Sequence, residues 1–212
     1  MAAAGNDGED DDGDVESPGS VEDVICVGAV TRTGSIWSGS SEGDNNGRLW
    51  PNPILPRQDP DMKPEIVAPG HEVPILMASA TGSGTWWGWS SGTSAATAWV
   101  SGSIAIFLEA NPEMKRDGDQ GGGTAISNLK MMISQNSEMK ENQEDHDDHY
   151  GYGLLRLDLL INETQNSSSE SGIRSSDLVS LRDIQIKYIQ EFQATRRMTA
   201  SVPPDNSTKD TE

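Results

Sequence analysis

The stretch GWSSGTSAATAWVSG, from Gly88 to Gly102, contains two overlapping serine motifs. Counted from Gly88 it reads G-x-S-x-G around Ser90, the signature of a nucleophile elbow between a strand and a helix. Counted from Gly92 it reads G-T-S-A-A around Ser94, followed by an apolar run with helical spacing. The elements that surround each serine decide which of them is the better candidate nucleophile.

Ser94 fits that role better than Ser90. The residues before Ser90, TGSGTWWG (81–88), are rich in glycine and are not expected to form a central strand, and the helix is predicted to begin at Ser94. A serine in the first turn of a helix lies beside free backbone N–H groups and the positive end of the helix dipole, which stabilise negative charge. A plain helix-capping serine is the alternative interpretation.

Composition argues against several kinds of partner. The net charge of −19 over 212 residues disfavours nucleic acid and anionic membrane surfaces, since both attract basic proteins. No stretch is apolar for the 18 or so residues that a membrane span needs. The single cysteine, Cys26, excludes an intrachain disulfide, and its apolar neighbours predict a buried, inert thiol.

Alternating apolar segments predict an α/β domain. The runs 24–30 and 66–68 are short and almost entirely apolar, which is typical of strands buried on both faces of a parallel sheet. Helical spacing predicts a buried helix over 95–110, a second helix around 126–133 and a short last one over 154–161. Strands that alternate with helices indicate a layered α/β fold.

The last fifty residues differ in character from the rest. A stretch rich in Ser, Asn and Glu begins near Asn162 and cannot build a core, so we expect residues 1–162 to form the domain and 163–212 a polar linker region. Within that region an apolar stripe predicts one helix over 176–198. The C-terminus from 203 onwards is expected to be disordered.

Five stretches, in one order, resemble the motifs of the subtilisin-like serine proteases, the subtilases. The segment 92–102 is similar to their serine motif G-T-S-x-A-x-P-H-V-x-G, with Ala98 and Trp99 where Pro and His are usual. The resemblance covers 1–162 and implies an α/β three-layer subtilisin-like fold with a mostly parallel sheet, present only as its C-terminal half. The other four stretches are AAAGNDG (2–8), SPGSVEDVICVGAV (17–30), KPEIVAPG (63–70) and YGYGLLRLDLLI (150–161).

The resemblance implies serine endopeptidase chemistry on polypeptide substrates. Ser94 would attack the peptide carbonyl, and the Asn6 amide together with the Ser94 N–H would hold the oxyanion. The residues that would line or border the pocket for the substrate's P1 side chain are Ala3, Gly5, Asp7 and Gly19.

Two further features of that pocket are expected. The Ser17–Pro18 bond is a candidate cis peptide that shapes it. Asp7 stands at its mouth and opens an acidic stretch, 7–16, so we expect Lys or Arg to be preferred over Glu at P1.

The acid and the base of a subtilase precede its serine in the chain, in the order Asp, His, Ser. Neither D-[ST]-G nor H-G-T-H occurs in this sequence, and its three histidines, His71, His146 and His149, lie in other contexts. We therefore interpret the chain as the C-terminal half of a catalytic domain, inactive without its missing N-terminal half. A parallel sheet cut in this way exposes an apolar edge, so the chain alone is expected to fold poorly.

Two other functions remain as alternatives. One is a non-catalytic remnant or interaction module that keeps the fold without the triad. The other is an α/β-hydrolase that uses Ser90.

Cofactor and location follow from the same comparison of motifs. Serine protease chemistry requires no metal. The acidic stretch 7–16 is nevertheless compatible with a structural calcium ion. The segment H-D-D-H (146–149) has too few strong ligands for a metal site and is expected to be a charged surface loop. Trp86, Trp87 and Trp89 are expected in a substrate-groove wall or a local core. The family resemblance implies an extracellular enzyme.

Overall fold

The structure is a computed structural model that describes residues 1–9, 14–44, 57–78, 85–115, 118 and 121–161. The chain divides into two units, Met1–Ser169 and Glu170–Glu212, and the described residues belong to the first. The predicted linker, helix 176–198 and disordered C-terminus lie outside the described residues.

The domain is built on a mostly parallel five-stranded sheet in the order β1-β2-β3-β7-β6. The pairs β1–β2, β2–β3 and β3–β7 are parallel, and β6–β7 is antiparallel. A separate antiparallel pair, β4–β5, forms a second sheet. The strands are β1 (Ala2–Ala3), β2 (Cys26–Val30), β3 (Ile66–Pro69), β4 (Val73–Ala78), β5 (Thr85–Ser90), β6 (Ser137–Glu138) and β7 (Leu154–Leu155).

The two predicted buried strands are confirmed as β2 and β3. Every residue of β2 is buried, as are the first three of β3, because the sheet continues on both sides of them and helix α1 (Thr93–Ala110) packs across β1, β2 and β3. The α/β class with a mostly parallel sheet is therefore confirmed.

Helix α1 is buried on one face only. Ala96, Val100, Ile104 and Phe107 recur at helical spacing and turn toward the sheet. The opposite face is exposed, so the predicted buried helix is buried along one stripe only. No helix in the described ranges is long and apolar enough to cross a membrane.

Two elements follow α1 in the chain. A 3₁₀ turn (Pro112–Met114) follows α1, whose C-cap is Asn111. Helix α2 (Gly123–Gln135) contains the predicted segment 126–133 and buries Leu129 and Ile133.

The last helix begins later in the structure than the predicted helix over 154–161. Leu154 and Leu155 form β7 beside β3, and only residues 157–161 are helical. The apolar run LLRLDLLI satisfies either period, and pairing with β3 decides in favour of a strand at its start.

A buried cluster of charges joins the amino ends of β2 and β3 to α2. Lys63, Glu65 and Lys130 are each at most 1% exposed. Glu65 Oε1 accepts from Lys63 Nζ at 2.7 Å and from Lys130 Nζ at 2.9 Å, and its Oε2 accepts from the Cys26 N–H at 2.6 Å. Lys130 also binds Asp61 Oδ1 at 2.6 Å.

Cys26 lies beside this cluster and is fully buried, as predicted. Burial, and secondarily the Glu65 carboxylate, raise the pKa of its thiol well above the usual range. Because the thiolate is the reactive form, Cys26 is inert in the folded chain.

Replacing Lys130 should unfold the domain more readily than replacing an exposed lysine. Lys130→Met leaves the buried Glu65 with one cation fewer, and breaking a buried pair costs about 3–5 kcal/mol. Lys115→Met, which breaks the exposed pair with Glu109, should cost less than about 1 kcal/mol. Urea denaturation followed by tryptophan fluorescence measures both; equal losses would contradict this account of the cluster.

Candidate active site

The candidate nucleophile lies where α1 meets the carboxyl ends of the parallel strands. Gly92, the N-cap of α1, donates its N–H to Gly70 O at 2.7 Å, and Gly70 directly follows β3. Gly92 has φ +153°, and a Cβ there would lie 3.4 Å from Asn6 Oδ1. Glycine at this position lets the helix start approach both strand ends closely.

Asn6 is held by the residue that precedes Ser94. Its Oδ1 accepts the backbone N–H of Thr93 at 2.9 Å. Since an N–H must face the oxygen of an amide, this bond fixes which way the side chain points and leaves Nδ2 as the outward-facing donor. No described residue accepts from Nδ2.

The buried Thr93 hydroxyl ties the same two segments together. It accepts from the Gly5 N–H at 3.3 Å, and its single proton lies between Gly5 O and Asn6 Oδ1, each 3.0 Å away. Thr93 itself is completely buried. The turn after β1 is thereby fixed against the first turn of α1.

Ser94 is the second residue of α1, and its side chain is exposed. Within the described part of the chain no group bonds its Oγ, and no acceptor faces its backbone N–H. The hydroxyl is therefore accessible, with a free helix N–H and the Asn6 amide at the same end of α1. Such donors can stabilise an oxyanion.

The histidine nearest to Ser94 in the sequence is His71, and it contacts Ser91 instead. His71 Nδ1 lies 3.1 Å from Ser91 Oγ, which also accepts the Glu72 N–H at 3.0 Å. Its ring stacks on Trp37 with centroids 6.2 Å apart. His71 thus braces the turn before Ser94, and Glu72, at φ +50°, is held in an unusual conformation by the same serine.

Among the residues expected around the P1 pocket, Gly19 lies against Ala3, and Gly5 lies against Ser41. A Cβ on Gly19 would lie 2.9 Å from Ala3 O, and a Cβ on Gly5 would lie 2.6 Å from Ser41 Oγ. Both glycines are therefore needed for close backbone approach. The Ser17–Pro18 bond is cis, as predicted.

Asp7 follows Asn6 at the surface. Its N–H donates to Ser41 Oγ at 3.2 Å, and its side chain is exposed. Glu9 accepts from Ser38 Oγ at 2.7 Å. Residues 10–13 of the acidic stretch lie outside the described residues, so its relation to the pocket stays a prediction.

The two histidines of H-D-D-H have separate partners. His146 Nε2 lies 2.8 Å from Pro64 O, and His149 Nε2 pairs with Glu42. In the ranges that the structure describes, no group of three or more His, Cys, Asp or Glu side chains could hold a metal ion.

The tryptophan-rich segment forms β5, in the two-stranded sheet rather than the parallel one. Trp87 and Trp89 are 53% and 46% exposed and meet edge to face, so the local-core interpretation is wrong for these two. The side chain of Trp86 lies outside the described residues. Because β5 is no central strand and α1 begins three residues after Ser90, the elbow interpretation of Ser90 loses its structural basis.

Three contacts of the site were not foreseen from the sequence. The Thr93 hydroxyl could have been suspected from G-T-S, since a buried threonine needs a partner. No sequence pattern marks Ser41 or the Ser91–His71 pair, because these residues come close to the site only once the chain has folded.

Comparison with known proteins agrees with this geometry. The family model described as the subtilase family matches residues 1–153, and the chain belongs to that family. Among solved structures it is similar to the self-cleaved protease domain of PatA (24% identity, TM-score 0.52) and to the prenylagaramide maturation protease PagA (28%, 0.50). It is also similar to the CspB protease of Clostridium perfringens (24%, 0.53).

These matches cover most of this chain but a smaller share of the solved ones. They span 78%, 76% and 72% of this chain against 49%, 48% and 29% of the PatA, PagA and CspB chains, respectively. The chain thus spans about half the length of the first two solved proteins, which fits a half domain.

The Thr93 hydroxyl should prove essential for holding Asn6. Thr93→Val keeps the side-chain shape but leaves the groups around it unpaired, so stability should fall by about 1–3 kcal/mol. The Asn6 side-chain NH₂ resonances should broaden or shift toward free-amide positions in an NMR spectrum. Thr93→Ser, which keeps the hydroxyl, is the control; an unchanged Asn6 signal in Thr93→Val would show that the backbone bond alone holds it.

Proposed function

We propose that Ser94 is the nucleophile of a serine endopeptidase whose complete catalytic domain includes residues beyond these 212. The observation that supports this most directly is the pairing of an exposed, unbonded Ser94 hydroxyl with an Asn6 amide whose oxygen is already occupied by Thr93. Membership of the subtilase family supports peptide bonds as the substrate class.

The chemistry assigns each group one task. Ser94 Oγ attacks the scissile carbonyl while a histidine base takes its proton, and the same histidine then protonates the leaving amine. The negative charge on the former carbonyl oxygen is received by the Asn6 Nδ2 donor and the Ser94 N–H. Water then releases the acyl group by the reverse sequence of proton transfers.

The base and the orienting acid come, in this proposal, from the N-terminal half of a subtilase domain. Without a base to take its proton, the Ser94 hydroxyl is not a competent nucleophile at neutral pH. The competing proposal is a non-catalytic remnant that keeps the fold alone. The two differ in what happens when the missing half is supplied.

A fluorophosphonate probe separates these proposals. Chain 1–212 alone should not be labelled at Ser94. A fusion that places the N-terminal part of the PagA protease domain, up to the segment matching β1, ahead of Met1 should be labelled stoichiometrically, and Ser94→Ala should abolish labelling. A folded fusion that stays unlabelled would favour the remnant, and labelling of the chain alone would refute the need for an added base.

In the active fusion, Asn6→Ala should act on turnover. The donor acts mainly on developing charge, so kcat should fall by roughly 10²–10³ with KM nearly unchanged, a magnitude taken from subtilisin. Asn136→Ala, on an asparagine that caps α2, is the matched control and should leave kcat within about two-fold. A change confined to KM would place Asn6 in substrate binding instead.

Substrate preference should follow the exposed Asp7. A carboxylate at a partly exposed pocket mouth gains on the order of 1 kcal/mol from a Lys or Arg side chain, less at high salt. The fusion should therefore cleave P1-Lys peptides faster than matched P1-Glu peptides, and the ratio should shrink with added salt and in Asp7→Ser. Preference for P1-Leu, with a Lys/Glu ratio insensitive to salt, would assign the acidic stretch to the surface alone.

A further inference from the structure

Residues 37–41 form a brace between β2 and the turn that carries Asn6. The brace is fixed to Ala29 of β2 through both backbone groups of that residue. The Trp37 N–H donates to Ala29 O at 2.9 Å, and the Ser40 hydroxyl accepts the Ala29 N–H at 3.0 Å. Because every residue of β2 is buried, the brace stands on a part of the sheet that is shielded from water.

The turn of residues 5–8 packs closely on this brace. A Cβ on Gly5 would lie 2.6 Å from Ser41 Oγ, and a Cβ on Gly8 would overlap Ser40 O. The turn can therefore lie this close to the brace only because glycine stands at both of its ends.

Ser41 bonds both peptide groups that flank Asn6. Its N–H donates to Gly5 O at 3.1 Å, and its hydroxyl accepts the Asp7 N–H at 3.2 Å. The first bond orients the peptide group before the Asn6 Cα, and the second orients the one after it. The rotations of these two groups are the two soft torsions of the residue, φ and ψ. One residue that is 1% exposed thus holds the backbone from which the Asn6 side chain projects.

The contacts with Thr93 act on a different part of Asn6. The Thr93 N–H holds the side-chain oxygen, Oδ1, at 2.9 Å. The last torsion of an asparagine side chain is broad, so an amide held at its oxygen alone can still pivot. The position of Nδ2 therefore depends also on where the backbone places the Cα.

We propose that Ser41 is a positioning residue of the proposed oxyanion hole. Its hydroxyl, through the Asp7 N–H, keeps Asn6 Nδ2 at the place where negative charge develops, and Ser41 itself does not touch the substrate. The consequence for turnover rests on the proposed function, whereas the positioning of Asn6 depends only on contacts within this chain. A donor to a transition state must be held to within about 0.5 Å, so a loosened turn costs rate.

Ser40 provides the matched control. It is the neighbour of Ser41 in the brace, is also buried at 4% exposed, and also accepts a backbone N–H through its hydroxyl. That N–H belongs to Ala29 of β2 and not to the turn of residues 5–8. Ser40→Ala therefore removes a comparable bond from the same brace without releasing a peptide group beside Asn6.

In the full chain alone, Ser41→Ala should loosen the turn. The Asp7 amide loses its acceptor, so its hydrogen exchange measured by NMR should accelerate at least about five-fold, and the Asn6 side-chain NH₂ resonances should broaden. Ser40→Ala should change neither. Unchanged Asp7 exchange in Ser41→Ala would overturn the proposal.

A second variant covers the case in which Ser41→Ala unfolds, which reaction of the buried Cys26 with a thiol reagent would reveal. Ser41→Cys keeps a side chain of similar shape but replaces the oxygen with a weak acceptor. The same acceleration of Asp7 exchange is expected in this variant, and its absence would overturn the proposal.

In the active PagA fusion, a double-mutant cycle separates positioning from general support of the fold. Ser41→Ala should lower kcat by about 3- to 10-fold with KM nearly unchanged. In an Asn6→Ala background the same change should cost less than about two-fold, because no amide is left to position. Equal losses in the two backgrounds, or an equal loss in Ser40→Ala, would overturn the proposal.

The two measurements also distinguish this proposal from the proposed function. A folded fusion without activity, combined with fast Asp7 exchange in Ser41→Ala alone, would support the positioning of Asn6 and reject the proposed activity. An active fusion in which Asn6→Ala lowers kcat and Ser41→Ala does not would reject the positioning and leave the proposed activity standing.

Discussion

The bond from the Thr93 N–H to Asn6 Oδ1 is the constraint on which the site depends. It joins the end of β1 to the start of α1, two elements 87 residues apart in sequence. Because it occupies the amide oxygen, it leaves Asn6 Nδ2 as a donor, which the proposed oxyanion hole would use. The Gly92–Gly70 bond fixes the same helix start to the end of β3, so the candidate nucleophile Ser94 is positioned from two strands.

The sheet and its principal helix were predictable because apolar runs of the right length, with turn residues on both sides, mark them in the sequence. The start of β7 was not, since LLRLDLLI fits a helix or a strand and only its pairing with β3 decides. The proposed roles of Ser94 and Asn6 come from the resemblance to family motifs and not from periodicity. The bracing of their turn by Ser91 and His71 could not be read from the chain, because those contacts exist only once β4 and β5 pair.

Helix α1 is buried along one face and exposed along the other, although its only charged residue is Glu109. The composition of α1 is that of a buried helix, but the described structure buries only the face that packs on the sheet. Sequence composition therefore reflects the surroundings in which a helix functions, which can be larger than the polypeptide at hand.

The buried Lys63–Glu65–Lys130 cluster sits at the amino ends of β2 and β3, away from the carboxyl ends that carry the site. The buried ionic cluster and the candidate active site therefore lie at opposite edges of one sheet. Changes in the loops at the carboxyl edge therefore do not touch the buried Lys63–Glu65–Lys130 cluster. For protein engineering, the segment 61–65 is therefore to be left untouched, as are Gly5, Asn6 and Gly70 at the opposite edge, where they hold the start of α1.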